Sequence, residues 1–189
     1  MLEAPMRTCY QFRGQSVLEH GLSVHRWFLE LYAYVKEGRA LSEEWRAPTW
    51  LNETSRPLLS ARLLPLETLR TYHVYHDCGK PLCLVVDDNG RQHFPEHAKA
   101  SYEQWLKAGG DVEVAELILR DMDIHQLKAD DVPEFAASPY CASLLLTGLA
   151  ELHSNAQMFG GTGADSFKMK FKHIERRGKA IVARMTENT

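Results

Sequence analysis

Apolar residues recur at three- and four-residue steps along most of the chain, the period of helices with one buried face. After a mixed lead-in over residues 1–14, Ser16 stands as an N-cap. Behind it come Val17, Leu18, Leu22, Val24, Phe28, Leu31, Tyr32 and Val35. This spacing predicts a long amphipathic helix that stops near Gly38. Residues 63–75 resume the pattern and run into His76-Asp77. Further helices are predicted over 96–108 (Tyr102, Trp105 and Leu106 inward, Gly109-Gly110 closing it), 112–122 and 139–159. The last is strongly apolar through Leu144, Leu145, Leu146, Leu149 and Leu152.

Three stretches depart from that period. Residues 39–60 set Trp45, Pro48, Trp50 and Pro57 among polar neighbours, which reads as a loop with short helical pieces covering a binding site or the core. Asp87-Asp88-Asn89-Gly90 is a turn signal, and the runs 82–86 and 91–94 beside it predict a small β-hairpin. Further on, Phe167, Met169 and Phe171 alternate with Lys168, Lys170 and Lys172. That alternation predicts an extended strand with three lysines on one face, followed by Arg176-Arg177. The sum is an all-α helical bundle in a single domain, 1–189, with a small β-hairpin near 82–94 and a basic C-terminal segment at 167–185.

Composition narrows the function classes. At 189 residues, with 44% hydrophobic and 25% charged positions, the chain is long enough for a sizeable core. The net charge of -3 gives no global attraction to nucleic acid or an anionic membrane, so phosphate binding has to come from local patches. The four cysteines form no CxxC pair, which fits free thiols in a reducing compartment. No apolar run reaches the roughly 18 residues of a membrane span, and the N-terminus does not read as a signal peptide. These features predict a cytoplasmic protein without a membrane partner.

The candidate chemistry gathers at His76-Asp77-Cys78-Gly79-Lys80-Pro81. An imidazole and a carboxylate on adjacent residues approach one metal ion from two directions, and Gly-Lys-Pro ends the helix and sets a cation beside it. Mixed imidazole and carboxylate ligands suit Mn, Fe, Co, Ni or Zn rather than Mg or Ca. Such an ion acidifies a water ligand to a pKa of about 7 and polarises a phosphoryl oxygen. Lys80, Lys168, Lys170, Lys172, Arg176 and Arg177 are the candidate cations for phosphate charge, and the last five make an RNA contact plausible. His20 and His25 lie five positions apart on one helix, roughly 140° from each other, so both do not serve one ion. Of the other candidates, His25 reads as a surface or packing residue, His73 as an ordinary buried one, and Cys78 as a packing residue rather than a nucleophile. Glu151 and His153 read as hydrogen-bonded groups of the core.

The fragment 76–104, HDCGKPLCLVVDDNGRQHFPEHAKASYEQ, resembles the core of the HD domain superfamily. It is most similar to the HD segment of CCA-adding enzymes, sharing HD-x-GKP, an acidic turn with glycine, and Phe-x-x-His. The resemblance covers residues 16–104 and includes the histidine that follows a short apolar stretch, His20. It implies an HD-like helical fold and a metal-dependent phosphohydrolase (a phosphomonoesterase or phosphodiesterase) with an H…HD…D ligand set. The substrate would be a nucleotide, a cyclic nucleotide or an RNA end. On that basis His20, His76 and Asp77 hold one divalent transition-metal ion, and Asp77 and Lys80 stand at the reaction centre. Lys80 contacts the substrate phosphate, and His97 is the extra histidine that some members use for a second ion. The closing ligand stays open between Asp121, Asp123 and Glu151. A second reading is a catalytically degenerate HD domain that binds a nucleotide or RNA without turnover.

Overall fold

The structure is a computed structural model that describes residues 2–12 and 14–187. It is predominantly helical. In chain order the elements are α1 (Glu3–Thr8), β1 (Tyr10–Phe12), β2 (Gln15–Ser16), α2 (Val17–Glu37), α3 (Arg56–Ala61), α4 (Leu66–Tyr75) and α5 (Lys80–Cys83). They continue with β3 (Val85–Val86), β4 (Gln92–His93), α6 (His97–Lys107), α7 (Val112–Leu119), α8 (Asp123–Gln126), α9 (Val132–Ala137), α10 (Cys141–Ser154) and α11 (Asp165–Glu187). Among the described residues the strands form only two small antiparallel hairpins, β1–β2 and β3–β4. No single helix among the described residues is long and apolar enough to cross a membrane.

Contacts group the chain into two compact units, each built from two segments: Met1–His25 with Pro65–Met122, and Arg26–Leu64 with Asp123–Thr189. The helix α2 contributes to both.

In the first unit, α2 begins where Ser16 and Glu19 form a reciprocal cap. The Glu19 carboxylate accepts from the Ser16 backbone N–H (2.7 Å) and hydroxyl (2.8 Å), while the Glu19 N–H donates to Ser16 Oγ (3.2 Å). Inward from there lie Val17, Leu18 and Val24, whereas Leu22, counted among the inward positions from spacing, is 51% exposed. Helix α4 packs on α7, α6 on α7, and α5 on α6. A second cap starts α7: Asp111 Oδ1 accepts from the N–H groups of Glu113 and Val114, at 2.8 and 3.2 Å. The hairpin β3–β4 pairs Val85 with His93 and Val86 with Gln92 around the acidic turn, as the turn signal predicts. Asp87 Oδ1 ties that turn by accepting from the N–H groups of Asn89 and Arg91. The N-terminal stretch, read from sequence as a lead-in, instead forms α1 and the hairpin β1–β2.

In the second unit α10 is buried almost all round and α11 packs against α9 and α10. Both tryptophans of the 39–60 loop are core residues, Trp45 9% and Trp50 3% exposed, so neither is presented for stacking on a base. Trp50 lies where Gly178 leaves room; a β-carbon there would sit 2.2 Å from the indole nitrogen.

The expected strand at 167–172 is overturned: these residues open the α-helix α11. Alternation over six residues is outweighed by the longer pattern of buried positions, Phe167, Phe171, Ile174, Gly178, Ile181 and Met185, which step by four and three. On a helix Lys168 and Lys170 are about 200° apart, so the three lysines do not share a face. Met169, between the buried Phe167 and Phe171 in the chain, is 62% exposed.

Candidate metal centre

The His-Asp doublet sits in the first unit, where α4 ends and a turn over residues 76–79 leads into α5. Two close approaches place it. A β-carbon on Gly21 of α2 would lie 2.6 Å from the Val74 carbonyl oxygen and 2.7 Å from that of His73. With only hydrogen there, α2 comes against the end of α4 and delivers His20. A β-carbon on Gly79 would lie 2.2 Å from Ser101 N and 2.3 Å from the carbonyl carbon of Ala100. Its backbone is ordinary (φ -87°, ψ -14°), so the glycine serves close packing on α6 rather than an unusual turn. The Gly79 N–H donates to Ser101 Oγ at 2.9 Å, fixing the turn to α6 and so to His97 at its start.

Asp77 is the hub. Its side chain is 2% exposed, with His76 Nε2 at 3.1 Å, Lys80 Nζ at 2.6 Å and His20 Nε2 at 3.8 Å from Oδ2, and His97 Nε2 at 3.8 Å from Oδ1. Burial alone would raise the carboxyl; the charges of His76, Lys80 and His20 outweigh it and hold the group well below the usual carboxylate range. Despite these distances, neither carboxylate oxygen has a partner in hydrogen-bond geometry among the described residues.

The histidine tautomers account for the imidazole side of that. A backbone carbonyl can only accept, so His76 Nδ1, 2.8 Å from the His73 oxygen, carries the proton and donates it there. Likewise His97 Nδ1 donates to the Phe94 oxygen at 3.1 Å. Whenever such a ring is neutral its Nε2 carries the lone pair, and both Nε2 atoms face the Asp77 carboxylate. Buried lone pairs turned on an anion repel unless cations lie among them; the Lys80 ammonium supplies one at Oδ2, whereas Oδ1 is faced by the His97 ring. Nδ1–H to a backbone carbonyl with Nε2 toward the site is also the arrangement that prepares a histidine for metal ligation. The donor set, three imidazoles around a buried carboxylate whose oxygens lack a well-aligned hydrogen bond, therefore fits a divalent ion held by imidazole and carboxylate.

The remaining candidates make contacts of their own. Asp121, 4% exposed, accepts a 2.5 Å hydrogen bond from the Tyr72 hydroxyl, and the Tyr72 ring stands edge-on to His76 at 6.2 Å. Asp123 begins α8 in the second unit. Glu151 accepts there from His125 Nε2 at 3.0 Å. His153 is a core histidine of the same unit: Nδ1 donates to the Leu149 oxygen at 2.9 Å and Nε2 accepts from the Arg46 N–H at 3.1 Å. Burial brings its pKa down to about 4. His25, read as a surface or packing residue beside Arg26, is paired with His73, Nδ1 to Nδ1 at 3.3 Å. His73 has no exposed surface and is held neutral by burial first, then by His25 and His76. Cys78 is 3% exposed, its thiol donates to the Ser101 oxygen, and burial followed by the Asp77 charge pushes its pKa up to about 12. A thiol so far from ionising is no nucleophile.

The basic residues of α11 divide. Lys168, Lys172 and Arg176 fall within about 80° of one another round the helix, and Lys170 and Arg177 lie on the other side. Arg177 donates Nε–H to the Leu127 oxygen at 3.0 Å, a structural contact within the second unit. Lys172 and Arg176, together with Lys179, line a groove of about 820 Å³ beside Met169 and His173. Lys168 pairs with Asp165 and Lys179 with Glu175, whereas Lys172 and Arg176 make no ion pair among the described residues. Glu175, the acid within the groove, is already engaged by the backbone N–H (2.9 Å) and hydroxyl of Thr49.

Sequence reasoning missed Gln11, Phe94 and Tyr72. Gln11 Oε1 accepts from Lys80 Nζ at 2.8 Å, and the ammonium lies 5.4 Å from the centre of the Phe94 ring. Tyr72 was legible only as a core position; its hydroxyl has no signal in spacing. No family model matches the chain, and no curated protein or solved structure matches it.

Proposed function

We propose that the chain is a metal-dependent phosphohydrolase of the HD type, acting on a phosphate ester of the nucleotide class: a nucleotide, a cyclic nucleotide or an RNA end. One observation carries this reading: a buried carboxylate, Asp77, faced by three imidazoles and one ammonium. His76, His20 and Asp77 would hold a divalent transition-metal ion, and His97, on the other carboxylate oxygen, would hold a second. When bound, the ion supplies Lewis-acid polarisation of a phosphoryl oxygen and an acidified water. The chain's own part is orientation and charge. Two backbone carbonyls fix the imidazole tautomers, burial keeps bulk water from Asp77, and Lys80 offers an ammonium to a phosphate oxygen. Lys172 and Arg176, with Lys179 beside them, form a phosphate-contacting stripe suited to an RNA backbone.

A second reading, an HD-like module that binds a nucleotide or RNA without turnover, draws support from Asp121. Its carboxylate is engaged by Tyr72, which makes it an indirect rather than an evident closing ligand.

Elemental analysis of wild type and Asp77→Asn, with phosphate release from a nucleotide panel in added Mn²⁺ and Co²⁺, tests both. The hydrolase reading expects stoichiometric metal lost in the variant and metal-dependent release by wild type. Metal without release on any substrate favours the binding module. Absence of metal after every reconstitution rejects the site.

A further inference from the structure

Lys80 stands on the very oxygen toward which two imidazoles converge. Its Nζ is 2.6 Å from Asp77 Oδ2, the atom that His76 Nε2 approaches to 3.1 Å and His20 Nε2 to 3.8 Å. The lysine side chain is 13% exposed and the aspartate side chain 2%, so the ammonium lies between the buried carboxylate and solvent. Two groups outside the doublet hold it there. Gln11 of β1 accepts from Nζ at 2.8 Å, and the ring face of Phe94 lies 5.4 Å away. The ammonium therefore keeps an amide oxygen and an aromatic face even when its contact with Asp77 is broken.

Resting on the metal reading above, we propose that Lys80 couples the two occupants of this site, a divalent ion and a phosphate group. Two cations on one carboxylate oxygen repel, so an ion binding at Oδ2 costs the Lys80–Asp77 pair. A phosphate group removes that cost by taking the displaced ammonium, which turns about Gln11 and Phe94 without leaving the site. Ion and phosphate then each tighten the other, and by the same factor, because a coupling free energy is reciprocal. The device disfavours an ion without substrate and favours the pair.

The test is calorimetric titration of Mn²⁺ into chelator-stripped wild type, Lys80→Met and Lys80→Gln, with and without inorganic phosphate. Phosphate is also titrated into each Mn²⁺-loaded protein. Without phosphate, both neutral variants are expected to bind Mn²⁺ about tenfold tighter than wild type, because the competing cation is gone. Phosphate is expected to tighten Mn²⁺ about tenfold in wild type. In the variants the gain falls to about twofold, the part left to direct attraction between ion and anion. If Lys80→Met does not fold, Lys80→Gln carries the same expectation. Equal Mn²⁺ affinity in all three proteins, or an undiminished phosphate effect in the variants, overturns the coupling while leaving the metal site standing. Failure of all three to bind Mn²⁺ overturns both.

Discussion

The carbonyl oxygen of Val74 occupies the space where Gly21 would carry a side chain, 2.6 Å from the position of its β-carbon. The neighbour is backbone and cannot swing aside. Gly21→Ala is therefore expected to force α2 from the end of α4 and cost about 2 kcal/mol or more of stability in denaturant unfolding. Because His20 precedes that glycine, metal affinity should fall in the same variant even where it folds. An alanine variant with unchanged stability and unchanged metal content would refute the close approach.

His153 gives the fold a pH limit. Its folded pKa of about 4 lies below the ordinary imidazole value of about 6.5, so between those values the unfolded chain binds the extra proton. Its contribution is fully present above about pH 6.5 and is lost as pH falls toward 4, a total of about 3 kcal/mol. Urea unfolding of wild type and His153→Gln at steps from pH 7 to pH 4 reads this as a difference. The wild-type curve should fall more steeply with acid, and parallel curves would contradict it.

Tyr72 and Asp121 act as one unit. Removing the donor in Tyr72→Phe, or the charge of its acceptor in Asp121→Asn, should weaken metal binding by a similar factor of about ten while leaving it measurable. Asp77→Asn, by contrast, should abolish it. If Asp121→Asn loses metal as completely as Asp77→Asn, the Asp121 carboxylate is itself a ligand.

The groove on α11 predicts a salt-sensitive interaction. Lys172→Glu with Arg176→Glu should reduce binding of a single-stranded RNA oligonucleotide about tenfold or more at low salt and flatten its dependence on salt concentration. The variant's thermal stability should be unaltered, since both side chains are exposed. Unchanged RNA affinity would make the stripe a solvated helix face.

Much of this architecture was legible in the chain. Ser16 marks the start of α2, Asp87 to Gly90 mark the hairpin, and His76-Asp77 with Gly79 and Lys80 mark the turn that carries the candidate site. Helical elements were readable because their buried stripes run over several turns. The α11 stripe was misread because Phe167, Met169 and Phe171 mimic a strand over a window too short to show the heptad-like steps that continue to Met185. What spacing could not supply were contacts between distant segments. Gln11 beneath Lys80, Tyr72 on Asp121 and Trp50 over Gly178 depend on which helices meet, a property of packing rather than of local period.

The last turn of α4 has a dual duty that ties dynamics to chemistry. The His76 N–H closes that turn on the Tyr72 oxygen at 2.7 Å, while the His76 ring closes on the His73 oxygen at 2.8 Å. Fraying this turn would break both bonds and spin the imidazole away from Asp77. Exchange of the His76 amide with solvent and, on the proposed metal reading, escape of a bound ion would thus share one opening event. On that reading the breathing of a single helical turn would limit how fast the centre can be emptied.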